Sequence, residues 1–570
     1  MVVVLATGIC SWALPGQHAG PSVLEVSRDR FDWYALSPSD DIEWTPSFDK
    51  FKCARLSLPL DYHRLDGPRV EIALQLLPAT DLDNYKGTIL LNPGGPGGSG
   101  TEMVHEFGPK ISKITGPEFD LLGFDPRGTG ATLPRADCFS SVAESQIWDL
   151  QQGPVLNLSD NSIPLARSRA QVLGARCREA LGGNGEAGED EWAPGRYMGT
   201  ASVATDMLRI VEKLGQDKLQ YWGISYGSVI GQYFVAMYPE KVGRVVIDGV
   251  LDAYTYQSTQ GMNLLHTDEI LSSFFDFCAQ AGPMKCPLYA PNASKIRARV
   301  TRILAELDHK PMPVPFAPKG PRVITMDTMH TVMFTATYQP IVEFPALAAI
   351  LVALEARNAS ALAAIPELFR WSAKFECDAI PPWAQINNEA MYAIMCSDAT
   401  LDAAQVVDFA PYFAQLSALS PFFAPVWALH HLQCTEWQIS AKWKYAGPLA
   451  AQATAHPLLI LASTFDNVTP LEFAQSVLGR YQGARLLVQN SRGHSTFAAP
   501  SLCTARHVRA YFVDGTVPEE GMVCEVDELP FVGDTVDRHG ASSRTLSVED
   551  TELLDALKLL SRQTPGLRPF

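Results

Sequence analysis

The sequence predicts an α/β fold, with a mostly parallel sheet, helices on both faces and a large, mainly helical insertion. Three patterns lead to that expectation. Short apolar runs alternate with amphipathic helical repeats over residues 203–247, as in a parallel sheet covered on both sides. From 256 to about 450 strand signals become rare, and helical runs, prolines and aromatics dominate. Strand signals resume at 458–462 and 484–489, so the sheet is split by a lid of about 200 residues.

In chain order, residues 1–50 carry no periodic element and read as a leader. Alternation at 53–62 (CARLSLPLDY) and 70–77 (VEIALQLL) predicts an opening pair of strands. A buried run at 88–91 enters the glycine loop 92–100 (NPGGPGGSG), and another at 119–124 ends in the turn 125–130 (DPRGTG). Residues 140–196, polar and partly glycine-rich, read as loops and an excursion. Val203, Met207, Ile210, Val211 and Leu214 share one helical face, with Gly215 as the stop. A strand at 219–222, a turn at 223–227, a helix and a strand at 244–247 complete this unit. Leu553, Leu554, Leu557 and Leu560 predict a final helix, N-capped by Ser547. The expected organisation is a leader (1–50), a first core part (51–255), a lid (256–450), a second core part (451–534) and a tail (535–570).

Composition narrows the function classes. Hydrophobic residues at 47% and charged residues at 19% describe a globular chain. Its 570 residues suggest roughly four domain equivalents, enough for a sizeable core without a metal or disulfide staple. A formal charge of −17 repels phosphate backbones and anionic lipid, so neither nucleic acid nor a membrane surface is an expected partner. The longest clearly apolar stretch, 344–354, is too short to span a bilayer.

Eleven cysteines show no CxxC pair or zinc-ligand spacing, and fit either buried free thiols or an oxidised extracellular protein. Residues 1–15 (MVVVLATGICSWALP) resemble a defective or truncated signal peptide, without Lys or Arg before Arg28. Sequons at Asn157, Asn292, Asn358 and Asn467 also favour secretion, Pro470 making the last one doubtful. Secretion is the expectation, and an intracellular location the alternative.

The chemistry centres on Gly223-Ile224-Ser225-Tyr226-Gly227, a GxSxG between a predicted strand and a helix. In the α/β-hydrolase arrangement this turn lifts the serine hydroxyl above the sheet's carboxyl edge. An alcohol is a weak nucleophile and needs a base oriented by a carboxylate, in the order Ser, acid, His. His494 follows a strand in a loop, whereas His507 lies on a helix and His430 and His431 lie in the lid. Asp466 ends the preceding strand and is the favoured acid; Asp248 is the competitor. An oxyanion hole is expected from the backbone N–H of Tyr226 and that of Gly95. Gly95, Gly97 and Gly100, with Asp120 further on, also spell a dinucleotide fingerprint. That alternative requires a helix opening directly from the loop, whereas Gly108 and Pro109 predict a short, interrupted one. A P-loop lacks its Lys-Ser/Thr, and no metal or organic cofactor is called for.

NPGGPGGSG, GFDPRGTG, GISYGS and the Asp466 and His494 segments together resemble the tripeptidyl aminopeptidase-like α/β-hydrolases, secreted relatives of prolyl iminopeptidases. The resemblance runs from Cys53 to about Phe531 and includes YFVDGTVPEEGMVC at 511–524, similar to the family's C-terminal module. It implies a Ser225, Asp466, His494 triad working through an acyl-enzyme beneath the lid. The implied activity is release of short peptides or residues from a free N-terminus, some relatives instead hydrolysing esters or amides in small-molecule pathways. Peptide or small acyl substrates are thus expected, with an esterase, lactonase or amide hydrolase as the alternative and a non-catalytic binding protein as a third. An aminopeptidase needs a lid carboxylate for the substrate ammonium, and Glu343, Glu355, Glu376, Asp378 and Asp398 are candidates. One departure is Ser47, which stands where many relatives carry a cysteine shortly before Cys53, so that bridge is expected to be missing.

Overall fold

The computed structural model describes residues 31–563 apart from 159, 183–188, 259–260, 319, 370–387, 402–407 and 536–545. Ten strands form one sheet: β1 (Thr45–Ser47), β2 (Phe51–Pro59), β3 (Arg69–Leu77), β4 (Thr88–Asn92), β5 (Asp120–Phe124), β6 (Leu219–Ile224) and β7 (Val242–Asp248) precede the insertion. The insertion carries a small hairpin, β8 (Met312–Val314) and β9 (Arg322–Ile324), and the sheet resumes with β10 (Leu459–Phe465), β11 (Arg485–Arg492) and β12 (Val523–Cys524). The sheet order is β1-β2-β3-β5-β4-β6-β7-β10-β11-β12. Pairing is antiparallel from β1 to β5 and parallel from β5 through β12.

Alternation along the central strands divides the core into two layers. Leu90, Tyr221, Ile247 and Ile460 point into one, packed by the helices Thr200–Lys213 and Tyr226–Met237. Ile89, Leu91, Trp222, Val246 and Leu461 point into the other, beneath Gly100–Thr115, Leu502–Asp514 and the final helix Val548–Ser561. Ser547 caps that last helix by accepting from Asp550 N, and Leu553, Leu554, Leu557 and Leu560 are buried. The insertion has its own apolar core, built around residues such as Phe274, Phe334, Phe344 and Leu351.

Four expectations need correction. The leader contains β1, three residues too short to show a period, paired on β2. Residues 140–196 are not only loops: they hold the helices Val142–Leu150 and Ser162–Leu181. Neither announces itself, since the first buries no residue and the second buries few large apolar ones. The helix after the glycine loop runs unbroken through Gly108 and Pro109 as Gly100–Thr115. Burial of Met103, Val104, Phe107, Ile111 and Ile114 outweighs a proline cost of about 3 kcal/mol. Finally, Asn467 is fully buried, which withdraws that sequon, whereas Asn157, Asn292 and Asn358 are exposed.

Disulfides join Cys138 to Cys177, Cys278 to Cys286, Cys396 to Cys434 and Cys503 to Cys524. Cys53 is a buried free thiol whose Sγ lies 3.0 Å from Ser47 Oγ, so the serine occupies the expected partner's place. Cys10 and Cys377 fall outside the described residues. Among the described residues no helix is long and apolar enough to cross a membrane. Cys503, His507 and Cys524 have metal-ligand spacing, but the two thiols are already joined.

The DPRGTG turn is anchored by charge. Buried Arg127 makes two 2.8 Å bonds to Asp206 and also donates to Pro59 O and Leu60 O, while Tyr62 OH donates to Asp206 at 2.5 Å. Breaking a buried pair on one side leaves an uncompensated charge. Arg127→Ala is expected to cost about 3–5 kcal/mol, read as a lower urea midpoint. The double replacement Arg127→Met with Asp206→Leu should cost less than the single one, and the opposite order would contradict this account.

Candidate active site

The site begins where the chain diverges from β4, to β5 on one side and β6 on the other. In such sheets the crevice at the carboxyl ends of the strands takes the ligand. Asn92 pairs with Gly223 across β4 and β6, so the glycine loop and the GxSxG turn leave the sheet side by side. Ser225 has φ 57° and ψ −123°, a conformation rarely held by a residue with a side chain. Its N–H donates to Asp248 O at 2.9 Å, and its carbonyl accepts from Ser228 N and Oγ. The flanking glycines are needed for space. A Cβ on Gly223 would lie 2.4 Å from Gly227 O, one on Gly227 2.8 Å from Asn92 O, and one on Gly94 2.9 Å from both Ser225 Cβ and Tyr226 N.

Asp125, also buried, fixes the glycine loop from the other side. It accepts from Ser99 Oγ, Thr101 N, Thr101 Oγ1 and Ala131 N, tying DPRGTG to the start of the helix after NPGGPGGSG. Gly94 N donates to Asn92 Oδ1, so the N–H of Gly94 is committed within the loop. Gly95, with φ 106°, lines the same cavity as Ser225 and His494.

His494 and Asp466 lie at the ends of the adjacent strands β11 and β10. His494 Nδ1 lies 2.9 and 3.0 Å from the two Asp466 oxygens. Asp466 also accepts from Val468 N, Thr469 N and Ser495 N. Burial alone would raise its carboxyl; the His494 ring and these N–H donors outweigh it and hold the group below its ordinary value. His494 Nε2 is buried without a hydrogen-bond partner, and no hydrogen bond joins it to Ser225 Oγ. Such contacts are often loose in unliganded sites and tighten around substrate.

Asp248, the competing acid, does not reach the ring. It accepts from Thr496 N at 2.9 Å and Thr496 Oγ1 at 2.5 Å, and burial pushes its carboxyl up to about 6. It thereby links the two loops, its carbonyl holding Ser225 and its side chain the turn after His494. His494 makes two further contacts. Thr469 Oγ1 lies 3.2 Å from Nδ1, and Tyr338, from the insertion, accepts from His494 N and sets its ring edge-on to the imidazole. Thr469 has a local signal, as the third residue after an aspartate whose side chain caps the following turn. Tyr338 has none.

Above these residues lies a cavity of about 2170 Å³ between the sheet edge and the insertion. Of the candidate lid carboxylates, Glu343 lines it and is buried. Glu355 is instead paired with Arg299 and Arg302, which hold its carboxyl below the usual range. Asp398, the last residue of the lid helix Asn388–Asp398, is buried in a network with Thr200 and Tyr256, and Glu376 and Asp378 lie outside the described residues. Glu389 carries no marker in the sequence. It is buried, lines the cavity and accepts from Ser145 Oγ at 3.2 Å; burial, with Asp149 nearby, pushes its carboxyl up to about 7. His430 and His431 line the cavity from the helix Ala424–Thr435.

A family model for the alpha/beta hydrolase fold matches residues 87–281, and one for TAP-like protein matches 420–524. The protein is an enzyme of the α/β-hydrolase fold, a hydrolase by class. More particularly, its C-terminal part is TAP-like. The chain is 26% identical over 508 residues to serine protease Hip1 of Mycobacterium tuberculosis, covering 85% of this chain and 91% of that one. It is 23% identical over 530 residues to the tripeptidyl aminopeptidase of Streptomyces lividans, covering 91% of each. Carboxylesterase B of Mycobacterium tuberculosis is 26% identical over 489 residues, covering 83% of this chain and 86% of its own.

The elevated Asp248 carboxyl gives a pH test with a definite sign. A carboxyl at about 6 when folded and near 3.9 when unfolded favours the fold while protonated. That contribution is full below about 4 and is lost as pH rises through about 6. Urea midpoints of wild type should therefore decline relative to Asp248→Asn between pH 4 and 6, then run parallel. A constant difference across that window would show that Asp248 does not titrate as described.

Proposed function

We propose that the protein is a serine exopeptidase that cleaves near the free N-terminus of peptides through a Ser225 acyl-enzyme. One observation carries the reading: His494, held from behind by Asp466, and the strained Ser225 turn face one cavity that also holds buried lid carboxylates. Ser225 Oγ attacks the scissile carbonyl as His494 Nε2 takes its proton, with Asp466 fixing the ring through Nδ1. The oxyanion is received by the N–H groups of Tyr226 and Gly95. His494 returns the proton to the leaving amine; water, deprotonated by the same nitrogen, then releases the acyl group and regenerates Ser225.

Glu389 is the proposed anchor for the substrate ammonium, with Glu343 as a second acidic group in the cavity. No lysine or arginine among the described residues pairs with Glu389, and a buried carboxylate without a cation calls for one from the ligand. The peptidase names of two relatives support peptide substrates, and the four disulfides among the described residues support an oxidising, extracellular setting. The relative named a carboxylesterase favours a second reading, in which the same residues hydrolyse an ester.

Ser225→Ala should lower kcat by several orders of magnitude with the urea midpoint unchanged, and Asp466→Asn by about 10⁴-fold. Retained turnover in either variant refutes the assignment. Peptides with free and acetylated N-termini separate the two functional readings: only the free form should be cleaved, and equal cleavage, or hydrolysis confined to small esters, rejects the exopeptidase. The ion pair needs Glu389 ionised, above about 7, and the peptide amine protonated, below about 8. KM for free peptides should therefore rise as pH falls below about 7, and Glu389→Gln should raise KM at neutral pH and flatten that rise.

A further inference from the structure

One helix of the insertion, Asn388–Asp398, packs on one of the backbone segments assigned above to the oxyanion hole and is linked through Thr200 to the side chain of the other. At its start, Met391 N and Ala390 Cβ would lie 3.2 and 3.5 Å from a Cβ on Gly97, so the helix packs directly on the glycine loop that holds Gly95. At its end, Asp398 is buried at the N-terminus of the helix Thr200–Lys213 and is linked through Thr200 to Tyr226, the residue after the nucleophile. Asp398 Oδ1 accepts from Thr200 N at 2.9 Å, and Oδ2 accepts from Thr200 Oγ1 at 2.5 Å and from Tyr256 OH at 3.1 Å. Thr200 Oγ1 lies 2.6 Å from Tyr226 OH. Since the threonine hydroxyl donates its one proton to the carboxylate, Tyr226 OH donates to Thr200, giving a chain Tyr226→Thr200→Asp398.

Each part of the arrangement is shaped for it. Gly199, the N-cap of the helix Thr200–Lys213, has no side chain to offer, and a Cβ there would lie 2.9 Å from Asp398 Oδ1. The lid carboxylate thus occupies the cap position from another element. The Tyr226 ring is fully buried, so its hydroxyl is held at the far end of a side chain whose own backbone N–H opens the nucleophile helix. The disulfide Cys396–Cys434 fixes the carboxylate end of the lid helix to the helix Ala424–Thr435, which also lines the cavity.

We propose that Asp398 is a positioning residue for hydrolysis: through Thr200 it holds Tyr226, and so the oxyanion-hole N–H at residue 226, in place when the lid helix is seated. The proposal rests on the Ser225 acyl-enzyme reading and extends it by making the lid part of the transition-state geometry. Asp398 touches no substrate. An N–H displaced from the oxyanion loses strength steeply with distance and angle, so the loss should fall on kcat and leave substrate binding largely alone.

The experiment uses the full chain and a chromogenic substrate, with fluorophosphonate labelling as the control. Wild type must label at Ser225 and Ser225→Ala must not; failure of that control overturns the acyl-enzyme reading and the proposal with it. Given the control, Thr200→Val is the main variant, because it cuts the hydroxyl chain and keeps the Thr200 N–H bond to Asp398. We expect kcat to fall 10–100-fold with KM changed less than twofold. Asp398→Asn should act in the same way, and the double variant should lose little more than the larger single loss. If Asp398→Asn does not fold, Thr200→Val and Tyr226→Phe carry the test alone. Unchanged kcat in Thr200→Val and Tyr226→Phe, or a fall in urea midpoint without a fall in kcat, would reduce Asp398 to a structural cap and overturn the proposal. A rise in KM at constant kcat would overturn it equally.

Discussion

The backbone at Ser225 is the constraint around which the surrounding structure is arranged. With φ at 57° the residue sits where a side chain is normally excluded, and it is kept there by hydrogen bonds from both sides of its peptide group. That conformation leaves no space for a Cβ at residues 94, 223 or 227, and it goes with a β4–β6 pairing whose last pair is Asn92 with Gly223. The glycine loop, the register of the central strands and the abrupt start of the helix Tyr226–Met237 are consequences of accommodating one strained residue.

Buried aspartates do the second part of the work. Asp125, Asp206, Asp248, Asp398 and Asp466 are all nearly inaccessible, and each is saturated by donors from a different part of the chain. A carboxylate in low dielectric is costly unless so satisfied, and one satisfied across several loops fixes their relative positions. Asp125 holds the glycine loop, Asp248 the loop after His494, and Asp466 the imidazole. Asp125, Asp248 and Asp466 stand at the ends of β5, β7 and β10, all within the parallel part of the sheet.

Features encoded locally were legible in the sequence. The strand, turn and helix around Ser225 fall within nineteen residues, 219–237, and Asp466 and His494 each follow an apolar strand, so all three candidates could be named from pattern alone. The structure places Asp466 on the imidazole and sets Asp248 on Thr496, a choice that depends on side-chain direction and was open as a matter of spacing. What escaped notice lacked a periodic signal. The helix Val142–Leu150 buries nothing, and the helix Gly100–Thr115 persists through Pro109 only because its apolar face is sandwiched in the core. Glu389, Tyr338 and the role of Asp398 come from the insertion and acquire meaning only when folding brings them against residues up to about 250 positions away.

β7 and β10 are immediate neighbours, pairing Val246 with Leu459, so the insertion leaves and re-enters the sheet through adjoining doorways. With its own apolar core it has the topology of an exchangeable cassette: replacing it need not reorder a single strand. Asp398 and Tyr338 limit that freedom. A transplanted cassette that lacks an acceptor for Thr200 and a carbonyl for His494 would install a new substrate chamber over a machine whose working parts had lost their braces.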